Sequence, residues 1–449
     1  MRVNVIGSFP DEMPPLYLFI SSASMKKINA LLLLITMFTG SVFGQQDNAA
    51  LSTALNRRII EVQSINNTDT AEFPAFKNLL SGAKVIGLGE GTHGTKEFYQ
   101  YKAGLIKYLV LHGDLRILIF ECDMVGMEII NDYVLNKINQ PLSYILRNSS
   151  LFDIYRTQEV ADLLEWIKAY NFTQPADRQV RIAGMDANMP YHIASKFLKS
   201  IALGPYLDAQ MKKDLAEIRS MSAQRNFGQA RKKYLMGVAD KLRNIVKDNL
   251  SADSLEIYNH CVRLLIQSLT MINLGDIPLN SSRDAHMAEN VLWSTGKTSE
   301  NEKLAIWGHN GHICADKWRG YPATGMHLRR KLKDRYYALG LAVGEGYARL
   351  WDWVNKKPFH PSKLPAIVNP AQFEFVLKGL KYPNFFLDLS LALPDKTLAA
   401  YFKQPLLTRV VGAGVVNSEK DILLPVRVDK AYDGMLFFRE TTAATDIWF

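Results

Sequence analysis

The stretch Val85-Ile86-Gly87-Leu88-Gly89-Glu90-Gly91-Thr92-His93-Gly94-Thr95-Lys96-Glu97-Phe98 reads as a strand, a glycine-rich turn and the start of a helix. Its head is a short apolar run bounded by glycine, the pattern of a strand buried on both faces. Glycine lets the chain turn tightly after it, and helical spacing then runs to about His112. Further runs rich in β-formers recur along the chain at Lys84 to Leu88, Ile117 to Glu121, Val180 to Gly184, Leu304 to Trp307, Tyr336 to Val343 and Phe385 to Leu389, with helical patterns between them. Such alternation predicts an α/β fold with a mostly parallel sheet flanked by helices. The segment 191–299 breaks the alternation. It holds no convincing strand, and spacings such as Val262, Leu265 and Leu269 predict a helical insertion, which serves either as a wall over a site or as scaffold.

The turn also carries chemistry. Gly89-Glu90-Gly91-Thr92-His93-Gly94 matches the G-x-G-x-x-G pattern of dinucleotide sites. Its variable positions argue otherwise, because the Glu90 carboxylate would oppose a pyrophosphate at the helix start. A carboxylate three residues before an imidazole is better suited to acid–base work, where it orients the ring and raises its basicity. A histidine in a turn also serves as a plain hydrogen-bonded residue, so the other strand ends matter.

Those ends are polar. The second strand runs into Glu121-Cys122-Asp123, the third into Gly184-Met185-Asp186, and the fourth into Gly308-His309-Asn310-Gly311-His312. In a parallel sheet these ends share one edge, where open α/β sheets bind ligands, so Glu90, His93, Glu121, Asp186, His309 and His312 are expected to converge. The block Arg283-Asp284-Ala285-His286-Met287-Ala288-Glu289-Asn290 is expected to start a helix whose arginine reaches the same cleft; a helix cap with an ion pair is the alternative. For Glu121 and Asp186 the alternative is a strand-end carboxylate bound to loop amides. No G-x-S-x-G elbow occurs, and Cys122 reads as a small core residue rather than a nucleophile.

At these positions the sequence resembles the erythromycin esterase family. The resemblance rests on Gly89 to Gly94 with Glu97, Phe98 and Lys102, on Glu121, on Arg283-Asp284 with Met287 to Asn290, and on His309-Asn310 with His312, in the family's order. It spans roughly residues 50 to 440. The resemblance implies an α/β protein with helical additions that hydrolyses a carboxylic ester or macrolide lactone without a metal or other cofactor. It puts the general base on His93, the supporting carboxylate on Glu90, and His309 in the same site. Arg283, His312, Lys102, Glu121 and Asp186 are then the expected substrate- or oxyanion-binding residues, with Arg283 or His309 facing the oxyanion. Two other functions remain open on the residues. His309 and His312 with a nearby carboxylate would suit a metal-dependent hydrolase, and an exported protein that binds haem or another ligand without turnover would use the same scaffold.

Composition sets outer bounds. The 449 residues are 48% hydrophobic and 22% charged with 28 Gly and 18 Pro, which excludes collagen-like, low-complexity and disordered chains. The net charge of +9 is spread along the sequence, and its densest run, Arg329 to Arg335, reads as a solvated helix face, so no nucleic-acid partner is expected. Cys122, Cys261 and Cys314 lie too far apart for a zinc ribbon or a disulfide framework. Met25-Lys26-Lys27, the apolar stretch Ile28 to Phe43 and then Gly44 form a secretory signal pattern, too short to span a bilayer. The expected organisation is therefore an extension at 1–24 preceding the natural start at Met25, a leader at 25–44, and one hydrolytic domain at 45–449 with the insertion at 191–299. The mature protein is expected in the periplasm or outside the cell, with no membrane span and a small-molecule ester as partner. N-terminal sequencing of the exported protein is predicted to begin at Gln45; retention of Met1 contradicts this.

Overall fold

A computed structural model describes residues 49–62, 73–221, 228–272, 274 and 276–447. The expected leader at 25–44 and the expected extension at 1–24 lie outside these residues. Residues 49–53 are helical and belong to an N-terminal unit that ends at Thr53; the unit Ala54–Phe449 carries everything discussed below.

The strands are β1 (Ile59–Glu61), β2 (Val85–Leu88), β3 (Leu115–Asp123), β4 (Arg181–Asp186), β5 (Lys303–Trp307), β6 (Lys317–Trp318), β7 (Tyr321–Pro322), β8 (Tyr336–Asp352), β9 (Lys357–Lys363), β10 (Asn384–Asp388), β11 (Leu406–Arg409), β12 (Leu423–Val426) and β13 (Gly434–Thr441). The main sheet runs in the order β1-β10-β13-β8-β2-β5-β3-β4. From β13 to β4 every neighbouring pair is parallel. This is the mostly parallel sheet that the near-continuous apolar runs predicted, and β2, β3 and β5 bury nearly every residue.

Chain order and sheet order differ where it matters. The chain goes from β2 to β3 and β4, crosses the helical insertion, and returns to place β5 between β2 and β3. It then moves to the other side of β2 with β8. The order therefore reverses beside β2, which opens a crevice at the carboxyl ends of β2, β5, β3 and β4. Two strands add antiparallel pairing to this arrangement. The run at Phe385 to Leu389 is β10, which pairs antiparallel with both β1 and β13, and β8 extends past Val343 to pair antiparallel with β9.

The helix Lys96–His112 follows the glycine turn and lays Phe98, Leu105, Ile106 and Leu109 into the principal core over the sheet. Insertion helices Pro190–Leu198, Ala209–Arg219, Gln229–Asn249 and Ala252–Met271 bury a second apolar cluster of their own, including Phe197, Leu215, Leu242 and Leu265. The last insertion helix, Asp276–Thr295, packs against β4. It begins seven residues before Arg283, so Arg283-Asp284 lies within a helix and does not cap its start.

Asn310 ties the crevice together. Its buried amide accepts from Leu341 N at 3.1 Å and donates to Leu341 O at 2.9 Å, linking the segment after β5 to β8. Gly89 leaves room for this clamp, since a Cβ there would stand 2.1 Å from Asn310 Oδ1. Gly94 has φ of 71° and lies against the Arg349 carbonyl, a conformation and a contact that only glycine accepts without strain. Gly89→Ala is predicted to lower unfolding free energy by about 1–3 kcal/mol in urea titrations, the usual range for overpacking; an unchanged midpoint contradicts the clamp's importance.

Candidate active site

Glu90 sits at the end of β2 with no exposed surface, so its charge must be met from within the protein. Three side chains meet it. His93 Nδ1 lies 2.9 Å from Oε1, the Tyr155 hydroxyl donates to Oε1 at 3.1 Å, and Lys102 Nζ donates to Oε2 at 3.1 Å. Burial would raise the Glu90 pKa, but the charges of Lys102 and His93 outweigh it and hold the carboxyl below its ordinary value. Burial also lowers Lys102 to about 8 despite its partner, and the ammonium gains the Trp307 ring face at 4.2 Å. Because a carboxylate only accepts, His93 presents Nδ1–H to Glu90 and keeps its Nε2 lone pair when neutral.

The second group gathers at the ends of β3 and β4. Arg283 Nε donates to Asp186 Oδ2 at 2.6 Å and Nη2 donates to Glu121 Oε1 at 3.1 Å. His312 is held from both sides, by Asp284 Oδ1 at 2.9 Å from Nδ1 and by Glu121 Oε1 at 3.1 Å from Nε2. Burial alone would lower its pKa, yet Glu121 and Asp284 push it up to about 10. With both nitrogens protonated, His312 cannot accept from Arg283, whose Nη1 stands 3.2 Å from Nε2; the two cations instead share Glu121. Glu121 in turn lies well below the carboxylate range, with His312 and Arg283 outweighing its burial. Asp284 also accepts from the Thr324 amide and hydroxyl at 2.9 and 2.7 Å.

His309 stands between the two groups. Its own amide donates to Glu121 Oε2 at 3.0 Å, and its ring lies 5.0 Å, centroid to centroid, from that of His93. Nδ1 accepts from Gly311 N at 3.1 Å as the cap of the short helix Asn310–Ile313. Burial, reinforced by the nearby His93, lowers the His309 pKa to about 3. The ring is therefore neutral with its proton on Nε2, and that buried atom has no hydrogen-bond partner. An oriented, unspent donor so close to a base-competent imidazole suits the stabilisation of charge on a carbonyl oxygen.

All eight residues expected from the sequence, Glu90, His93, Lys102, Glu121, Asp186, Arg283, His309 and His312, thus join through direct contacts along one sheet edge. Tyr155 and Asp284 complete the network. The hydroxyl of Tyr155 has no local sequence signal, since the residue closes the short 3₁₀ turn Asp153–Tyr155 far from any strand end. Among the described residues, no group of three or more His, Cys, Asp or Glu side chains is arranged to hold a metal ion.

The family model for erythromycin esterase matches residues 110–441. The chain belongs to the erythromycin esterase family. YbfO of Bacillus subtilis (strain 168) is 22% identical over 358 residues, covering 72% of this chain and 78% of its own. Erythromycin esterase type I of Escherichia coli is 22% identical over 326 residues, covering 64% and 77%. A crystal structure of a Bacillus cereus protein superposes with a TM-score of 0.76 at 21% identity, covering 89% of this chain and 99% of that one, and shares the fold. Membership in the erythromycin esterase family supports a hydrolase of the ester-cleaving kind, with a small molecule as substrate.

The charge states are directly measurable. Because the folded-state pKa of His312 is raised from 6.5 to about 10, its ion network stabilises the fold fully below pH 6.5, and that contribution is lost as pH rises through 10. Ring ¹⁵N shifts are predicted to show His312 doubly protonated at pH 8 and His309 as the neutral Nε2–H tautomer at pH 5. A neutral His312 at pH 8 contradicts the electrostatic reading.

Proposed function

We propose that this chain is an exported hydrolase that cleaves a carboxylic ester or lactone with water activated by His93. The observation that carries the reading is the pairing of two differently prepared imidazoles. His93 is oriented by Glu90 at 2.9 Å and keeps Nε2 as a base, while neutral His309 offers Nε2–H as a donor 5.0 Å away between ring centres. Water gives its proton to His93 Nε2 as its oxygen adds to the carbonyl carbon, and the oxyanion takes the His309 hydrogen bond. Collapse breaks the bond to the alcohol oxygen, which recovers the proton from the His93 imidazolium. Arg283 bridges Glu121 and Asp186 and so fixes the carboxylate that holds the His309 amide in place.

The reading is metal-independent because the carboxylates and His312 are already committed to one another. His312 has a carboxylate on each nitrogen and His309 has Nδ1 capped, so the H-x-x-H pair does not offer two free nitrogens to one ion. Export rests on the leader pattern at 25–44. The Escherichia coli relatives named as erythromycin esterases make a macrolide lactone the natural first substrate, with simple esters as the wider set.

Incubation of the mature protein with a macrolide and a panel of esters, followed by mass detection of water addition, tests the proposal. His93→Ala is predicted to lower kcat by about 10²–10⁴ without loss of fold, and His309→Phe by about 10²–10³. Chelator treatment is predicted to leave the rate unchanged. Retained turnover in His93→Ala, or its loss on chelation, overturns the mechanism; saturable binding of intact ester without turnover favours a binding protein instead.

A further inference from the structure

Of the three side chains around Glu90, Tyr155 alone has no part in the proposed proton transfers or in the charge balance. It is fully buried, and its hydroxyl donates at 3.1 Å to Glu90 Oε1, the same oxygen that faces His93 Nδ1 at 2.9 Å. Lys102 holds the other end of the carboxylate by donating to Oε2. The last torsion of a glutamate is soft and roughly two-fold, so donors on both oxygens are what fix it.

The turn that carries Tyr155 is itself tied to the glycine loop at two points. Tyr99, in the first turn of the helix Lys96–His112, accepts from Gly94 N at 3.0 Å and donates to Ile154 O at 3.0 Å. One buried hydroxyl thus joins the residue after His93 to the residue before Tyr155. Arg349 repeats the tie, with its amide donating to Gly94 O at 2.8 Å and its Nη1 donating to Asp153 O at 2.9 Å. The rings complete the frame: Tyr155 stands edge-on to His93, with centroids 6.0 Å apart and planes at 86°, and meets Phe120 at 5.8 Å. Tyr155 therefore cannot shift without pulling on the loop that holds His93.

We propose that Tyr155 is a positioning residue for the base, acting through Glu90: its hydroxyl fixes the carboxylate oxygen that His93 faces and limits the negative charge which that oxygen presents to the ring. The role rests on the reading of His93 as the base. A phenol suits it because it stays neutral, burial and the Glu90 charge both pushing its pKa well above the ordinary tyrosine value. It therefore donates throughout the working range without placing a further cation where an imidazolium must form, which a second ammonium would oppose. A carboxylate oxygen that accepts a second hydrogen bond is also less basic, so the ring proton is shared with Glu90 less strongly than it would be in a simple pair.

Two changes at this one position test the role, through pH profiles of ester hydrolysis and through the His93 Nδ1 proton resonance read on substrate-free protein. Tyr155→Phe keeps the ring and removes the donor. Its kcat is expected to fall about tenfold with KM within about twofold, the acid limb of kcat/KM to move to higher pH, and the proton to move downfield as Oε1 turns wholly to the imidazole. 3-Fluorotyrosine in place of Tyr155 keeps ring and hydroxyl and is the stronger donor, so it is expected to move the acid limb to lower pH and the proton upfield. Opposite displacements mark action through Glu90, since lost packing alone lowers the melting temperature and reverses nothing between the two variants. The resonance needs no substrate, so it decides this proposal even where the wild type hydrolyses no ester, a result that counts against the hydrolase reading alone. An unmoved resonance in both variants, displacements in the same direction, or a Tyr155→Phe variant with wild-type kcat and pH profile overturns it.

Discussion

A fully buried carboxylate is the constraint around which this molecule is arranged. Moving a charged Glu90 out of water costs several kcal/mol unless partners replace the lost hydration. Lys102, Tyr155 and His93 replace it from a helix, a distant turn and the same glycine loop. Each partner is thereby fixed in position, and for His93 the consequence is chemical as well as structural. A ring whose Nδ1–H is spent on Glu90 has one nitrogen left, and it is the basic one.

Sheet topology supplies the rest of the site. Inserting β5 between β2 and β3 sets the Gly308–His312 segment directly between Glu90 and Glu121. The same detour of the chain builds the helical insertion. Its outer helices hold their own core, while its last helix returns along β4 and delivers Arg283 and Asp284 to the sheet edge. The insertion is scaffold for most of its length and wall at its end. The two histidines of the Gly308–His312 segment are three residues apart yet carry opposite electrostatic character. One is capped by an amide and kept neutral; the other is clamped by two carboxylates and kept charged.

Much of this was legible in the sequence, for identifiable reasons. Short apolar runs that end in Glu121, Asp186 and His309 announce strands buried on both faces with polar carboxyl ends, and a parallel sheet must then bring those ends together. The glycine turn was readable because Glu90 and His93 occupy positions that phosphate binding would leave uncharged. Strand β13 escaped notice although Met435-Leu436-Phe437-Phe438 is as apolar as the runs that were recognised. The direction of β10 was not legible, since an apolar run of five residues carries no record of which neighbour it pairs with. The helix through Arg283 begins earlier than expected because local polarity at Asn280-Ser281-Ser282 mimics a cap inside a helix held by tertiary packing. Tyr155 was invisible because its role depends on a contact 65 residues away in the chain.

The central claim is that water, activated by the Glu90–His93 pair, attacks the ester directly with no acyl group ever attached to the protein. Rapid-quench intact-mass spectrometry during turnover of a 4-nitrophenyl ester tests it most directly. The account predicts unmodified protein at every time point and linear release of 4-nitrophenol without a burst. A transient mass increase equal to the acyl group, accompanied by a burst approaching one equivalent per site, would contradict it.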